Sequence, residues 1–222
     1  MRIATWNIRH GRPRRGFASN RRLAAGVRAL DVDVLAVQEA ERRVIRSWFA
    51  DQPALIARAA HASAHAFVPA RQLAIIGTDG VTLCVRGDLQ QHEAIELPHE
   101  KGHRRVALVA EIDGTTVVTT HLQNEAHEAR RQLQWLLARI VPAEGPLILM
   151  GDLNLRPYDI EELIGDAGLT LAGGGPTEPA HDPVQQIDHI AVRGFTVEHV
   201  EVGDAPVSDH RPLIANLRFS TQ

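Results

Sequence analysis

Six short segments carry the polar groups of this chain that are able to do chemistry together. Each sets a carboxylate, amide or imidazole beside an apolar run: Thr5-Trp6-Asn7, Val37-Gln38-Glu39, Thr119-Thr120-His121, Gly151-Asp152-Leu153-Asn154, Ile187-Asp188-His189 and Ser208-Asp209-His210. Any one of them has an ordinary structural explanation, such as an Asx turn at Asp152 or a surface pair at Asp209-His210. Six at strand ends are better explained by convergence on one rim, because strands in packed sheets end along common edges. Acidic and amide oxygens without thiolates suit a hard divalent cation such as Mg2+ or Mn2+. A carboxylate can orient or deprotonate water, and a histidine backed by a second carboxylate can stabilise developing negative charge. The set reads as metal-assisted hydrolysis of a phosphate ester.

To position such groups the chain must supply strands that end together. Ile3 to Ile8 reads as a strand, and Ser19 as the cap of a helix with Leu23, Val27 and Leu30 on one face. Val34 to Val37 reads as a short buried strand, followed by a helical stretch from Glu41 to about His65, broken at Pro53. Strands are expected over 73–76, 81–86, 91–97, 105–112 and 115–120, the last two joined by a hairpin turn at Asp113-Gly114. A helix over Glu125 to Ile140, a strand over Leu147 to Met150, and a helix opened by Asp159 come next. Strands over 187–192, 195–202 and 212–218 complete the chain. Antiparallel neighbours mixed with helix-separated strands imply an α/β domain of two packed sheets with helices outside. It spans 1–222 as a single domain, with Gly173-Gly174-Gly175-Pro176 as an internal loop.

With 222 residues, 44% hydrophobic and 23% charged, the chain can bury a full core, which excludes intrinsic disorder. One cysteine, Cys84, excludes a disulfide framework and a multi-cysteine metal cluster. No apolar run approaches the ~20 residues of a membrane span. No segment reads as apolar enough for a membrane surface, and the N-terminus lacks a signal-like apolar stretch. The expectation is therefore a cytoplasmic protein with no membrane partner and no obligate protein partner. The net charge of −3 hides an asymmetry: residues 9–22 hold six arginines and no acid, and without those six the remainder carries −9. A basic loop on an acidic body suits a polyanion-facing rim as well as a solvated surface. His99-Glu100-Lys101-Gly102-His103 has the letters of a zinc-protease helix, but Pro98 and Gly102 oppose helix there and a loop is expected. His61 and His65 read as a solvated helical face.

Taken together and in this order, Thr5-Trp6-Asn7-Ile8, Val37-Gln38-Glu39, Thr120-His121-Leu122, Gly151-Asp152-Leu153-Asn154, Ile187-Asp188-His189-Ile190 and Ser208-Asp209-His210-Arg211-Pro212-Leu213 resemble the endonuclease/exonuclease/phosphatase superfamily. The resemblance implies the deoxyribonuclease I-like fold, a four-layer α/β sandwich. It implies that Glu39 is the main metal ligand, helped by Asn7 and Asp209, with Mg2+ or Mn2+ as cofactor. Asp152 would orient or deprotonate the attacking water and Asn154 would hold a phosphoryl oxygen. His210, bonded to Asp188, would stabilise the pentacovalent phosphorane, and His121 would contact the scissile phosphate, with Asp79 a candidate carboxylate partner. Arg9 and Arg12, following Asn7, are candidate substrate contacts. Tyr158, four residues after Asn154, either lines the groove or packs on its helix. The superfamily's abasic-site members carry Trp-Arg-x-Asp-Tyr where this chain has Gln185-Gln186-Ile187-Asp188-His189, which counts against abasic-site repair. The expected substrate is a phosphodiester, DNA or RNA included. A small phosphorylated metabolite is the alternative, and a catalytically silent binding module on the same fold the third reading.

Overall fold

In the computed structural model, which describes residues 1–73, 75–100, 102–204 and 207–220, the apolar runs pair into two sheets of six strands each. In chain order the first sheet contains β1 (Arg2–Asn7), β2 (Val34–Arg42), β3 (Ala64–Leu73), β4 (Gly77–Val85), β11 (Phe195–Val202) and β12 (Leu213–Phe219). The second contains β5 (Leu89–Glu96), β6 (Val106–Ile112), β7 (Thr115–His121), β8 (Leu147–Asp152), β9 (Thr170–Leu171) and β10 (Asp188–Arg193). Their spatial orders are β11-β12-β1-β2-β4-β3 and β5-β6-β7-β8-β10-β9. Helices α1 (Asn20–Leu30) and α2 (Gln52–Ala59) cover the first sheet, and α3 (Ala126–Ile140) and α4 (Pro157–Asp166) the second.

Three apolar layers hold the four structural layers together. Ile3, Leu83, Leu108, Ile148 and Leu213 fill the space between the sheets. Trp6, Leu23, Val27 and Ile56 seal the first helix pair, and Leu133, Leu136, Leu149 and Ile160 the second. The helices start where local chemistry favours it. Ser19 Oγ accepts from Arg22 N (3.3 Å), an Asp51 oxygen from Ala54 N (3.1 Å), and an Asp159 oxygen from Arg156 N (3.1 Å).

Each sheet has one parallel pair at its centre, β1 with β2 and β7 with β8, connected over helices α1 and α3. Parallel strands finish at the same edge, so Asn7, Gln38, His121 and Asp152 are brought to matching ends. Strand β10 runs antiparallel to β8 and begins at that edge, with Asp188 opposite Asp152. Strand β12 likewise begins opposite Thr5 of β1, leaving Ser208-Asp209-His210 just beyond it. Gly151 permits a close approach of β7 and β8: a Cβ there would lie 2.1 Å from the Thr120 carbonyl oxygen.

Several sequence expectations change. The stretch from Glu41 to His65 is not a broken helix. Strand β2 continues through a bulge to Arg42, a 3-10 turn occupies Ile45–Ser47, and Pro53 lies in the first turn of α2, where its missing N–H is tolerated. His61 falls in a turn and His65 in β3, so they share no helical face. Of the strand expected over 73–76, Leu73 ends β3, Ile75 and Ile76 form a turn, and Ala74 lies outside the described residues. In the 99–103 segment the described residues form loop and bends, with Lys101 outside them. No helix is long and apolar enough to cross a membrane among the described residues.

Because the Thr120 carbonyl leaves no room for a methyl group, Gly151→Ala is expected to destabilise the protein by about 2 kcal/mol or more. A lowered urea midpoint with an unchanged slope would show this; an unchanged midpoint would mean the β7–β8 spacing is not set here.

Candidate active site

Glu39 owes its position to a bulge. The β2–β4 ladder shifts register between Val37 and Ala40, and Glu39 adopts a left-handed backbone (φ 57°) that only a constrained non-glycine residue holds. The neighbouring Gln38 is fully buried, and its Nε2 donates to Thr5 Oγ1 on β1 and Thr119 Oγ1 on β7, each at 3.1 Å. Asn7 also spans the sheets: its Nδ2 lies 3.2 Å from Glu39 Oε1 and 2.9 Å from Asp152 Oδ2.

Asp152 is the centre of the cluster. Its Oδ2 lies 3.4 Å from His121 Nε2 and 3.8 Å from His210 Nε2, while Oδ1 accepts from the Asn154 backbone N–H at 3.1 Å. Asn154 takes a left-handed conformation (φ 52°) and donates its side-chain N–H to the Leu122 carbonyl. His210 Nδ1 is 2.9 Å from Asp188 Oδ2. The turn carrying His210 is fixed on three sides. Ser208 Oγ donates to the Asn7 carbonyl (2.6 Å) and accepts from His210 N (3.1 Å), and Trp6 Nε1 donates to the His210 carbonyl (2.9 Å).

Burial and charge set the protonation preferences. Burial pushes the Asp152 carboxyl up, against the opposing pull of His210. Burial pulls the His210 imidazole down, but the adjacent Asp188 and Asp152 charges overcome this and raise it. His121 is held well below the usual range by burial and by the Arg105 charge, which leaves it neutral. Burial pushes Glu39 up, yet His10, His121 and the Asn7 amide together hold it well below the usual carboxylate range.

These groups line a cleft of about 340 Å³ that also admits Arg9, His10, Asn124, Glu178 and Gln185. Asn7, Glu39, His121, Asp152, Asn154, Asp209 and His210 are therefore brought together, with Asp188 directly behind His210. Asp209 faces Arg9, whose Nη1 is 3.1 Å from its Oδ2. Arg12 is exposed and donates to the Gly16 carbonyl, and Tyr158 is 70% exposed near Arg156; neither lines the cleft. Asp79 does not partner His121: it is bound by Arg71 through both oxygens, and the closest carboxylate to the imidazole is Asp152.

His10 and Arg105 are the buried basic side chains beside the cleft that went unread in the sequence. His10 is buried with Nδ1 unbonded, 3.5 Å from Glu39 Oε2 and 3.8 Å from the fully buried Glu41. Arg105 is 8% exposed with Nε unpaired, and with Arg71 it borders a small recess beside Glu39 and His121. The usable signal for Arg105 was its place directly before β6, which pairs with the His121 end of β7. His10 had a weaker one, since Gly11 permits the left-handed turn that tucks it under Glu39.

The donor chemistry fits a hard divalent cation. Glu39 and Asp152 present carboxylate oxygens on either side of the Asn7 amide, with no thiolate near. Asp152, Asp188 and His210 form a second group with ligand atoms within 4.8 Å, and Asp188 Oδ1 there is buried without a hydrogen-bond partner.

The sequence pattern of the Endonuclease/Exonuclease/phosphatase family matches residues 4–210. No curated protein matches the chain by sequence. Among solved structures, an endonuclease/exonuclease/phosphatase from Beutenbergia cavernae DSM 12333 superposes with a TM-score of 0.83 at 22% identity, covering 99% of this chain and 71% of that one. The human Nocturnin catalytic domain with bound sulfate gives 0.73 at 20% identity, covering 99% and 94%. A mannosyl-6-phosphatase from Bacteroides thetaiotaomicron VPI-5482 gives 0.73 at 16% identity, covering 99% and 100%. These likenesses establish the deoxyribonuclease I-like architecture.

Ser208→Ala removes both bonds of a buried hydroxyl and is expected to cost about 1–3 kcal/mol of stability while freeing His210. Equilibrium unfolding, with turnover measured on the same variant, checks this. A variant with parental stability and rate would show that Ser208 does not position the histidine.

Proposed function

The chain belongs to the Endonuclease/Exonuclease/phosphatase family, and from that premise we propose that it is a divalent-cation-dependent phosphodiesterase, with DNA and RNA the first substrates to test. One observation carries the preference for a diester. The catalytic cleft adjoins a second groove of about 460 Å³ across Asp209, bordered by Arg14, Arg15 and His181. A phosphate with substituents on both sides would extend along it, and guanidinium groups suit the next phosphate.

In this reading Glu39 would hold Mg2+ or Mn2+, joined by Asn7 only through its Oδ1, the one atom of that amide able to ligate a cation, which here accepts from Arg9 N at 3.0 Å. The cation supplies positive charge that offsets the oxygens of the bound ester. The chain's own residues do the rest. Asp152 is buried between Asn7, His121 and His210, oriented by the Asn154 N–H, and accepts the proton of a water whose oxygen bonds to phosphorus. The ester oxygen on the opposite side departs as that bond forms. His210, kept protonated by Asp188, donates to a phosphoryl oxygen where negative charge accumulates. Neutral His121 and the Asn154 amide position the same phosphate, and Arg9 holds its flank next to Asp209. The retained set of polar groups disfavours a silent binding module.

A second reading, a phosphomonoester of a small metabolite, rests on the positive charge of Arg71 and Arg105 beside His121. That charge suits a terminal phosphate at the mouth of the recess; the recess itself, about 10 Å³, holds no more than a water.

Hydrolysis of bis(p-nitrophenyl) phosphate beside p-nitrophenyl phosphate, with Mg2+, Mn2+ or EDTA, separates the two readings. Metal-dependent diester cleavage is expected, with Asp152→Asn lowering the rate by about 10²–10⁴-fold. Monoester preference would favour the second reading, and near-normal turnover by Asp152→Asn would remove this residue from its role. Glu39→Gln is expected to weaken Mn2+ binding in calorimetric titration by about tenfold or more. Unchanged affinity would place the ion elsewhere, with Asp152, Asp188 and His210 as the next ligand set to test.

A further inference from the structure

Three loops beside the cleft converge to present large apolar side chains to solvent. Phe17 lies in the loop before α1, Ile45, Trp48 and Phe49 lie between β2 and α2, and Ile75 and Ile76 form the turn between β3 and β4. Phe17 is 84% exposed, Ile45 73%, Trp48 66% and Ile75 94%, whereas soluble surfaces usually scatter such residues singly. The loops are bound to one another. Trp48 Nε1 donates to the Ala18 carbonyl (3.0 Å) and Asn20 Nδ2 to the Ser47 carbonyl (2.9 Å). Val44 packs so closely on Gly77 that a Cβ there would meet its methyl at 2.9 Å. Ile45, Phe49, Leu73 and Ile76 share an apolar recess of about 190 Å³ rimmed by Arg43 and Arg46. Because β2 and β4 stay paired out to Arg42 and Thr78, past Glu39, this tip projects from the edge that carries the cleft.

The tip is also basic. Residues 9–30, 42–50 and 70–77 contain no acid, although the chain as a whole is acidic. Arg21, Arg22 and Arg43 are exposed and pair with no carboxylate among the described residues. We propose that this tip is a docking surface for an anionic lipid bilayer, its apolar side chains entering the interfacial layer while the arginines meet the lipid phosphates. The proposal goes beyond the phosphodiesterase reading and does not depend on it. Two features select this occupant. A second copy would oppose an identical basic patch, so like charges would face each other across a two-fold contact. A nucleic-acid strand would use the aromatic rings, but the three isoleucines offer no stacking to bases. No single segment reads as membrane-facing because the apolar residues are divided among three short loops, each interrupted by arginine or small residues.

Cosedimentation of the full chain with phosphatidylcholine vesicles, with and without phosphatidylglycerol, tests the proposal. Binding is expected only with phosphatidylglycerol, weakening as salt rises. Phe17→Ser combined with Ile45→Ser should bind about tenfold more weakly or worse, since two apolar side chains no longer enter the interface. Both positions are mostly exposed, and Ile75→Ser alone provides a second variant should the pair disturb folding. No binding to either vesicle would overturn the proposal, as would equal binding by parent and variants. So would light scattering that shows a dimer lost in the variants, or an oligonucleotide complex lost in the variants while vesicles bind nothing.

Discussion

The Asn7 amide is the contact on which the rest depends. It touches Glu39 in its own sheet and Asp152 in the facing sheet, so the two halves of the site are defined relative to a single side chain. One layer deeper, Gln38 bonds Thr5 and Thr119 and repeats the same cross-sheet tie in the dry interior. Sheets packed on aliphatic side chains alone can slide with little penalty, because the hydrophobic effect has no direction. Buried hydrogen bonds do have direction, and leaving such groups unpaired is costly. The polar pairs therefore fix which strand end faces which, and the apolar layer supplies the bulk of the association.

That arrangement concentrates negative charge. Glu41, Asp79, Asp152 and Asp188 are all buried near the same edge, where unpaired carboxylates would be strongly unfavourable. Most have a dedicated cation: Arg46 for Glu41, Arg71 for Asp79, and His210 for Asp188. Glu39 is different. It keeps about a quarter of its side chain open to the cleft, faces an imidazole and an amide, and pairs with no arginine. A carboxylate held charged, partly open and without an arginine partner is the ground on which the cation is proposed at Glu39. Of the neighbouring carboxylates, Asp79 is bound through both oxygens, whereas Glu41 Oε2 and Asp188 Oδ1 are buried without a partner.

Much of this was legible in the sequence because strand ends announce themselves. Asn7, Glu39, His121, Asp152, Asp188 and His210 each adjoin an apolar run, and the parallel pairs bring those ends together. The helix over 125–140 was equally plain from its Leu133, Leu136, Leu137 and Ile140 stripe. The segment from Glu41 to His65 was not, since Glu, Arg and Ala favour helix locally while the β2–β4–β3 ladder imposes extended chain. Arg12 illustrates another limit. Sequence proximity to Asn7 suggested a substrate contact, but the left-handed run through Arg9, His10 and Gly11 turns the chain so that Arg9 stays in the cleft and Arg12 leaves it.

Backbone strain shows where the fold serves the site rather than itself. Among the described residues ten non-glycine ones adopt positive φ, and three of them lie away from the cleft, Asp31 at the end of α1 and His61 and Asp113 in turns. The other seven cluster at the working edge: Arg9, His10, Glu39 and Asn154 within the cleft, and Arg43, Trp48 and Phe49 in the apolar tip beside it. Such conformations cost on the order of 1–3 kcal/mol each and persist only where surrounding contacts over-determine them. Here those contacts are visible: the β2 bulge holds Glu39, Leu122 holds Asn154, and the Ala18 carbonyl holds Trp48. In the cleft the strained backbone brings a carboxylate and an amide to the lining of one cavity. In the tip it turns an indole and a phenyl ring outward, although both would gain by packing inward. The same physical signature thus marks two adjacent surfaces of different chemistry, one polar and concave, the other apolar, basic and projecting.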